Sequence, residues 1–128
     1  MSKSDMKTSK VVLLGIVFFF SVALSGLAQS TIVVQEDVIF SRSLSGHINV
    51  GLEKVAGKGI TVELCSSDWK TVLASTKSDN HGYFSFQKPP GELFNMRLSS
   101  PGVNPLQLRV RVNRRAAHDL TIHLSVAT

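Results

Sequence analysis

Strict alternation of apolar and polar side chains is the feature of this sequence that most constrains its fold. Between Leu106 and Asn113, aliphatic residues occupy every second position, and glutamine, arginine or asparagine fills the positions between them. This period of two is that of a β-strand with one buried face, and it does not fit the 3.6-residue period of a helix. The alternation recurs along the chain after Ser43. The sequence therefore predicts an all-β domain.

Turn-forming residues divide the alternating sequence into seven short strands. In the clearest turn, Ser78 to Gly82, Asp79 can accept hydrogen bonds from nearby backbone and Gly82 can take a positive φ. Spacing of roughly 10 residues between such turns predicts a seven-stranded antiparallel β-sandwich. The predicted inward-facing residues are Leu44, Gly46, Ile48, Val50, Ile60, Val62, Leu64, Phe84, Phe86, Phe94, Met96, Leu98, Leu106, Leu108, Val110, Val112, Leu120, Ile122, Leu124 and Val126.

Three parts of this pattern are less regular. Cys65 falls on the strand face opposite the aliphatic residues, so we expect its thiol near the surface. The third strand, around Thr71 to Thr76, is the weakest because Leu73 faces away from its apolar neighbours. Residues 29–42 contain the run Ile32-Val33-Val34 and are predicted to be a linker or an extra edge strand.

The first 28 residues have the pattern of a helical secretory signal peptide. An apolar run from Val11 to Leu24 follows a basic start formed by Lys3, Lys7 and Lys10. Small residues, Gly26 and Ala28, stand at the positions that signal peptidase requires for cleavage before Gln29. The run is interrupted by serine and is shorter than the ~20 residues that span a bilayer, which favours cleavage over retention as an anchor.

Cleavage would leave one β-sandwich domain, 43–128, with no stable membrane insertion. Gln29 stands where a bacterial lipoprotein carries its lipidated cysteine, so we expect a periplasmic or secreted protein that is not lipidated. Cys65 is the only cysteine, and the domain therefore has no internal disulfide. Eleven basic and eight acidic residues remain after cleavage, a mild net charge of +3.

From Leu44 to Val126 the sequence carries a glycine-bearing turn before a Val-x-Leu strand, then Asp-x-x-Gly-Tyr-Phe-x-Phe, Pro-Pro-Gly, and Ser-Pro-Gly. This order resembles the carboxypeptidase regulatory-like domain. The resemblance implies a transthyretin-like, or prealbumin-like, β-sandwich within a broader group of carbohydrate-binding-like folds, often appended to secreted or cell-surface bacterial proteins. It implies no catalytic residues, because the zinc peptidase activity in the family's name belongs to a separate domain. The loop from Gly51 to Gly59 lacks the family's usual proline, and Val103 replaces a common aromatic residue.

No arrangement of residues in the sequence indicates catalysis or a metal site. Of the four histidines only His118 and His123 are close in sequence, and no carboxylate or cysteine completes a ligand set. Asp79 and Asn80 supply too few oxygens for calcium. There is no Gly-x-Ser-x-Gly elbow, no paired carboxylate motif, and no Tyr-Arg-Gly-Ser tail of the kind used by transthyretin-like hydroxyisourate hydrolases. We expect a non-enzyme that needs no cofactor.

Two groups of residues are candidates for a ligand-binding surface. Trp69 and Tyr83 are the aromatic residues that could stack on sugar rings, although a single large aromatic of this kind more often covers one end of a core. Arg97, Arg109 and Arg111 point outward on two consecutive predicted strands, and Arg114 and Arg115 follow in the next turn. This stripe could bind an anionic glycan, lipid headgroups or an acidic protein, or it could be a solvated face that discourages edge association. No aromatic residues alternate with the arginines, which makes nucleic acid a poor ligand.

The sequence thus predicts an exported, non-enzymatic binding or structural module of the cell envelope or extracellular space. A carbohydrate-binding module is one alternative. The other is an accessory subunit that docks on a larger envelope protein by strand addition, because an open sandwich keeps unpaired edge strands.

Overall fold

A computed structural model describes residues 31–87 and 89–128. The predicted signal peptide lies outside these residues, as do the first two positions of the predicted linker. The described residues contain no helix and form ten strands. These are β1 (Val33–Val34), β2 (Ile39–Ser41), β3 (Ser45–Val50), β4 (Val55–Ala56), β5 (Thr61–Cys65), β6 (Val72–Lys77), β7 (Tyr83–Ser85), β8 (Leu93–Ser99), β9 (Leu106–Val112) and β10 (Leu120–Leu124).

The strands form two sheets. In the larger sheet β9, β8, β5 and β6 follow one another, and both β1 and β2 pair with the free edge of β9. In the smaller sheet β3 lies between β10 on one side and the short strands β4 and β7 on the other. The two sheets share one apolar core, an arrangement consistent with a β-sandwich.

Both sheets are mixed, whereas the alternation pattern predicted a wholly antiparallel sandwich. β10 pairs with β3 in parallel, and β1 and β2 both run parallel to β9. A parallel pair requires the chain to cross over instead of turning back on itself, and β10 does this by leaving the sheet of β9 to join the other sheet. The predicted seven strands each have a counterpart, and β1, β2 and β4 are additional short strands.

The predicted inward positions form the core. Phe84, Ile48, Met96 and Leu108 are each at most 2% exposed, and they come from both sheets. The prediction is wrong for Val126, which follows the end of β10 and is 52% exposed. In β6, Val72 and Leu73 are both exposed, because this strand is an open edge of the larger sheet.

Cys65 is buried, at 5% exposure, which corrects the expectation of a surface thiol. The register between β5 and β6 shifts at this residue. The loop after Cys65 also folds back, since the Ser66 amide donates to the Thr71 carbonyl at 2.9 Å, and the Asn95 side chain donates to the Ser66 carbonyl at 3.0 Å. Alternation assigns a side chain to a face of a strand, but it does not say whether a loop covers that face.

The predicted turn before β7 is confirmed. One carboxylate oxygen of Asp79 accepts hydrogen bonds from the amides of His81 and Tyr83, both at 2.9 Å. Gly82 has a φ of +81°, and a Cβ there would lie 2.4 Å from the Ile48 carbonyl oxygen. The turn therefore requires glycine for its conformation and for the close approach of β3.

Candidate functional site

The three predicted surface arginines lie on the outer face of the larger sheet. Arg97 on β8 is in register with Gln107 on β9, and Arg109 on β9 is in register with Asn95 on β8. Residues directly opposite one another on neighbouring strands project from the same face. Arg111 lies two positions beyond Arg109 along β9 and so shares that face. We call Arg97, Arg109 and Arg111 the arginine face.

All three members of the arginine face have a polar partner among the described residues, and two of these partners are carboxylates. The Arg97 guanidinium donates from Nε to Glu63 Oε1 at 2.9 Å, and its Nη2 lies 2.9 Å from the same oxygen. Both side chains are about three-quarters buried, at 28% and 22% exposure. Arg109 donates from Nη2 to the Glu36 backbone carbonyl at 3.1 Å. Because a carbonyl carries no net charge, this bond does not neutralise the guanidinium. Arg97 is therefore the arginine of this face whose charge is most closely neutralised, and Arg109 has no carboxylate partner among the described residues.

A cavity lies where the face meets the turn after β9. Its volume is about 530 Å³, and its lining residues are Arg42, Glu92, Arg111, Val112, Asn113, Arg114 and Arg115. We call it the arginine pocket. Four of its side chains are cationic and one is anionic. The Glu92 carboxylate pairs with Arg111, with 3.6 Å between Glu92 Oε1 and Arg111 Nη1. The Glu92 side chain is 76% exposed.

Backbone hydrogen bonds hold the chain around the arginine pocket. The Arg42 amide donates to the His118 carbonyl at 2.9 Å, and the Asn113 amide donates to the Ser41 carbonyl at 2.8 Å. The turn itself is closed by the Asn113 side chain, whose Oδ1 accepts from the Arg115 amide at 2.9 Å. Asparagine commonly makes this bond in turns. The pocket thus combines the end of β2, the end of β9 and the turn between β9 and β10.

Arg42 is the arginine of the pocket that the sequence did not predict. It lies in the segment interpreted as a linker or an extra edge strand, and 69 positions separate it from Arg111. The available signal was the apolar run Ile32-Val33-Val34, which was compatible with either interpretation. The structure places β2 parallel to β9 with Phe40 in register with Arg111, and this pairing brings Arg42 to the pocket.

The two candidate aromatic residues lie far apart in the topology. Tyr83 is on β7 in the smaller sheet, where it is 39% exposed and its ring centroid lies 5.1 Å from that of His47. Trp69 is in the loop between β5 and β6 of the larger sheet, is half-buried, and has a φ of +67°. The outer face of the smaller sheet also carries Asn49, whose Oδ1 contacts His123 Nδ1 at 2.5 Å. The structure therefore places Tyr83 beside His47 and places Trp69 in a loop of the other sheet.

Three titratable groups among the described residues have pKa values shifted by their surroundings. Burial raises the pKa of the Cys65 thiol, the nearby Arg97 charge partly offsets this, and Glu63 raises it further. A raised pKa leaves a thiol protonated near neutral pH and therefore a weak nucleophile. Hydrogen bonds from the Tyr83 and His81 amides lower the pKa of Asp79, and hydrogen bonds from Ser66 and the Lys70 amide lower that of Asp68.

Within residues 31–87 and 89–128, no three histidine, cysteine, aspartate or glutamate side chains come together as metal ligands would. The same part of the chain has no helix of the length and apolar character that crossing a membrane requires. Another cavity, of about 660 Å³, lies beyond the ends of β3 and β10 and is lined by exposed apolar residues including Leu52, Val55 and Val126.

Comparison with known proteins gives no family assignment. No family model matches the chain, and no curated protein is significantly similar to it.

Proposed function

We propose that this protein is an exported, non-enzymatic binding module that binds an acidic partner through the arginine face and the adjoining arginine pocket. Its fold would be the transthyretin-like sandwich of carboxypeptidase regulatory-like domains. The motif order supports this fold name, and the pairing of two sheets around one core is compatible with it. The pattern of the first 28 residues supports export to the periplasm or beyond the cell.

The observation that carries the proposal is the excess of cations over carboxylates around the arginine pocket, whose described lining has four arginines and one glutamate. Among the described residues, Arg97 pairs closely with a carboxylate, and Arg111 has a more distant and more exposed one. The Arg111 side chain is 41% exposed and its carboxylate neighbour is 3.6 Å away, while Arg42, Arg114 and Arg115 are exposed and in no ion pair there. Clustered cations repel one another, and an anionic ligand relieves that repulsion.

A non-enzymatic role accords with how the reactive groups are used. Cys65 is buried with a raised pKa, and the Asp79 carboxylate accepts the hydrogen bonds that close a turn. Both roles are structural, and they support a function in binding over one in catalysis.

Polyglutamate binding tests the proposal. We expect purified protein to bind the polymer at low salt, and we expect the affinity to fall as ionic strength rises, because exposed charges are screened within about 10 Å at 0.1 M salt. Arg109→Gln with Arg111→Gln should weaken binding by about tenfold or more, since each cation near an anionic surface is worth roughly 1 kcal/mol. Lys58→Gln with Lys70→Gln removes the same charge from exposed turns elsewhere and is the matched control. Equal weakening by both pairs would show that net charge alone drives binding and would contradict the assignment of this face.

Carbohydrate recognition is a second candidate, favoured by the half-exposed Tyr83 ring beside His47. An exposed aromatic face next to hydrogen-bonding side chains suits the stacking of a sugar ring. Binding on a glycan array that is lost in Tyr83→Ala and kept in Trp69→Ala would support it. The same array signal from all three proteins would exclude this surface.

Docking on a larger envelope protein is a third candidate, favoured by the open edge of β6, which among the described strands pairs only with β5. An extended segment of a partner could add to this edge through backbone hydrogen bonds. Cross-linking in the native envelope should then recover one protein that still co-purifies in the presence of excess sugar. Recovery of no single partner would count against docking.

A further inference from the structure

The arginine pocket differs from an ordinary basic surface because its cations surround a cavity. Its four arginines come from three separate parts of the chain, the end of β2, β9, and the turn that follows β9. A solvated sheet face would spread such side chains apart, whereas these line one cavity of about 530 Å³. That volume is within the ~300–1,000 Å³ of typical small-molecule sites.

The backbone that carries these arginines is fixed at several points. Arg111 is in the paired part of β9, opposite Leu93 on β8 and Phe40 on β2. The turn residues Arg114 and Arg115 follow Asn113, whose amide, carbonyl and side chain all make hydrogen bonds, at 2.8, 2.8 and 2.9 Å. A cationic cavity on a fixed backbone loses less entropy on binding than four arginines on a flexible segment would.

We propose that the arginine pocket is a specific site for a tetrahedral oxyanion, a phosphate or sulfate group carried by a larger molecule. This inference rests on the proposed function and names the chemical group that one part of the binding surface recognises. Each guanidinium offers a planar fork of N–H donors and no acceptor, a geometry that matches phosphate oxygens in pairs.

The charge balance of the pocket favours a multiply charged ligand over a carboxylate. Glu92 already supplies one carboxylate beside Arg111, and three arginines in the pocket remain without such a partner among the described residues. A group with two negative charges and at least three acceptor oxygens can engage several guanidinium groups at once. The cavity also leaves room for the molecule to which the oxyanion is attached.

The Glu92 carboxylate lies where it would compete with the ligand for Arg111. Its backbone carbonyl accepts from the Val112 amide at 2.8 Å, which places the residue at the pocket rim, and its exposed side chain lies 3.6 Å from Arg111. A bound oxyanion would be repelled by this carboxylate and would compete with it for Arg111. Removing the Glu92 charge should therefore tighten oxyanion binding. A general attraction of the anion to other parts of the surface would not depend on Glu92 in particular.

Calorimetric titration with inorganic phosphate at fixed ionic strength tests the site. The unmodified protein should bind phosphate saturably, and Arg114→Gln with Arg115→Gln should weaken binding by about tenfold or more, because the variant loses two sets of charge-assisted hydrogen bonds to the oxyanion. Glu92→Gln should strengthen binding. The control pair, Lys58→Gln with Lys70→Gln, should bind phosphate as the unmodified protein does.

Two further measurements separate the sources of the oxyanion and the two proposals. Vesicles containing phosphatidylglycerol that bind the protein and release it on addition of phosphate would identify a lipid headgroup, and phosphate binding without vesicle binding would identify a soluble phosphate or sulfate ester. Absence of saturable phosphate binding, or equal binding by the pocket and control variants, overturns the pocket assignment. In that case polyglutamate binding that still depends on Arg109 would leave the proposed function standing, and its loss would remove both.

Discussion

Replacing Ser78 by alanine should destabilise the protein far more than its place in a turn sequence suggests. Ser78 is 6% exposed, and its hydroxyl oxygen accepts from the Ile60 amide at 2.8 Å while donating to the Gly57 carbonyl. Its backbone also bonds to this loop, through the Ser78 amide to Ile60 and the Gly59 amide to Ser78. The hydroxyl therefore joins the loop before β5 to the end of β6 inside the fold.

The expected magnitude follows from the two bonds that are lost. A typical hydrogen bond contributes about 0.5–1.5 kcal/mol net, and a buried donor left without a partner costs about 1–3 kcal/mol. Ser78→Ala removes both side-chain bonds and leaves the Ile60 amide without its acceptor, so we expect a loss of about 2–4 kcal/mol. For a domain of this size, that corresponds to a fall in Tm of roughly 10–20 °C.

Urea denaturation followed by circular dichroism measures this loss directly. The unfolding midpoint should fall while the dependence on urea stays the same, because the surface exposed on unfolding does not change. Ser75→Ala removes a hydroxyl from an exposed position on β6 and should change stability by less than about 0.5 kcal/mol. A Ser78→Ala variant as stable as Ser75→Ala would refute the reasoning.

Three other substitutions and reactions test the fold. Gly46→Ala should cost about 3 kcal/mol or more in a thermal melt, because its Cβ would lie 2.1 Å from the Leu120 carbonyl oxygen, and a melt like that of the unmodified protein would contradict the pairing of β3 with β10. Cys65 should react with a thiol reagent much more slowly in the folded protein than in urea, because burial raises its pKa and blocks access; equal rates would place the thiol at the surface. The backbone hydrogen bonds that lower the pKa of Asp79 stabilise the folded state above about pH 4, where the carboxylate is ionised. This stabilisation is lost as pH falls through the folded-state pKa. Asp79→Asn cannot titrate, so its urea stability should fall less on acidification, and parallel pH profiles would contradict this role.

Most of the strands could be predicted from local sequence alone. In β9 the period of two predicted which residues are buried, and Leu108 and Val110 are at most 2% exposed. The turn at Asp79 was equally local, since its hydrogen bonds reach only two and four residues along the chain. Such features depend on neighbouring residues and on the alternation of side chains in an extended chain.

The candidate site was predicted in part. The outward arginines of β8 and β9 followed from alternation, but the ion pair between Arg97 and Glu63 joins residues 34 positions apart and could not be predicted from either strand alone. For the same reason the aromatic pair of the smaller sheet is Tyr83 with His47, because β7 pairs with β3. A binding surface of this kind is assembled from several strands, so its composition depends on which strands are neighbours.

By itself, the sequence determined that this chain forms strands with a continuous apolar side, because the alternation of side chains is a property of each extended segment. The tertiary structure decided which strands lie together and in which direction, and hence that β10 runs parallel to β3 and that Arg42 joins the arginines beside β9. The physical reason is that an amphipathic strand can bury the same face against many partners. The choice among them depends on loops, register shifts and close approaches such as that at Gly46, which arise only when distant parts of the chain are packed together.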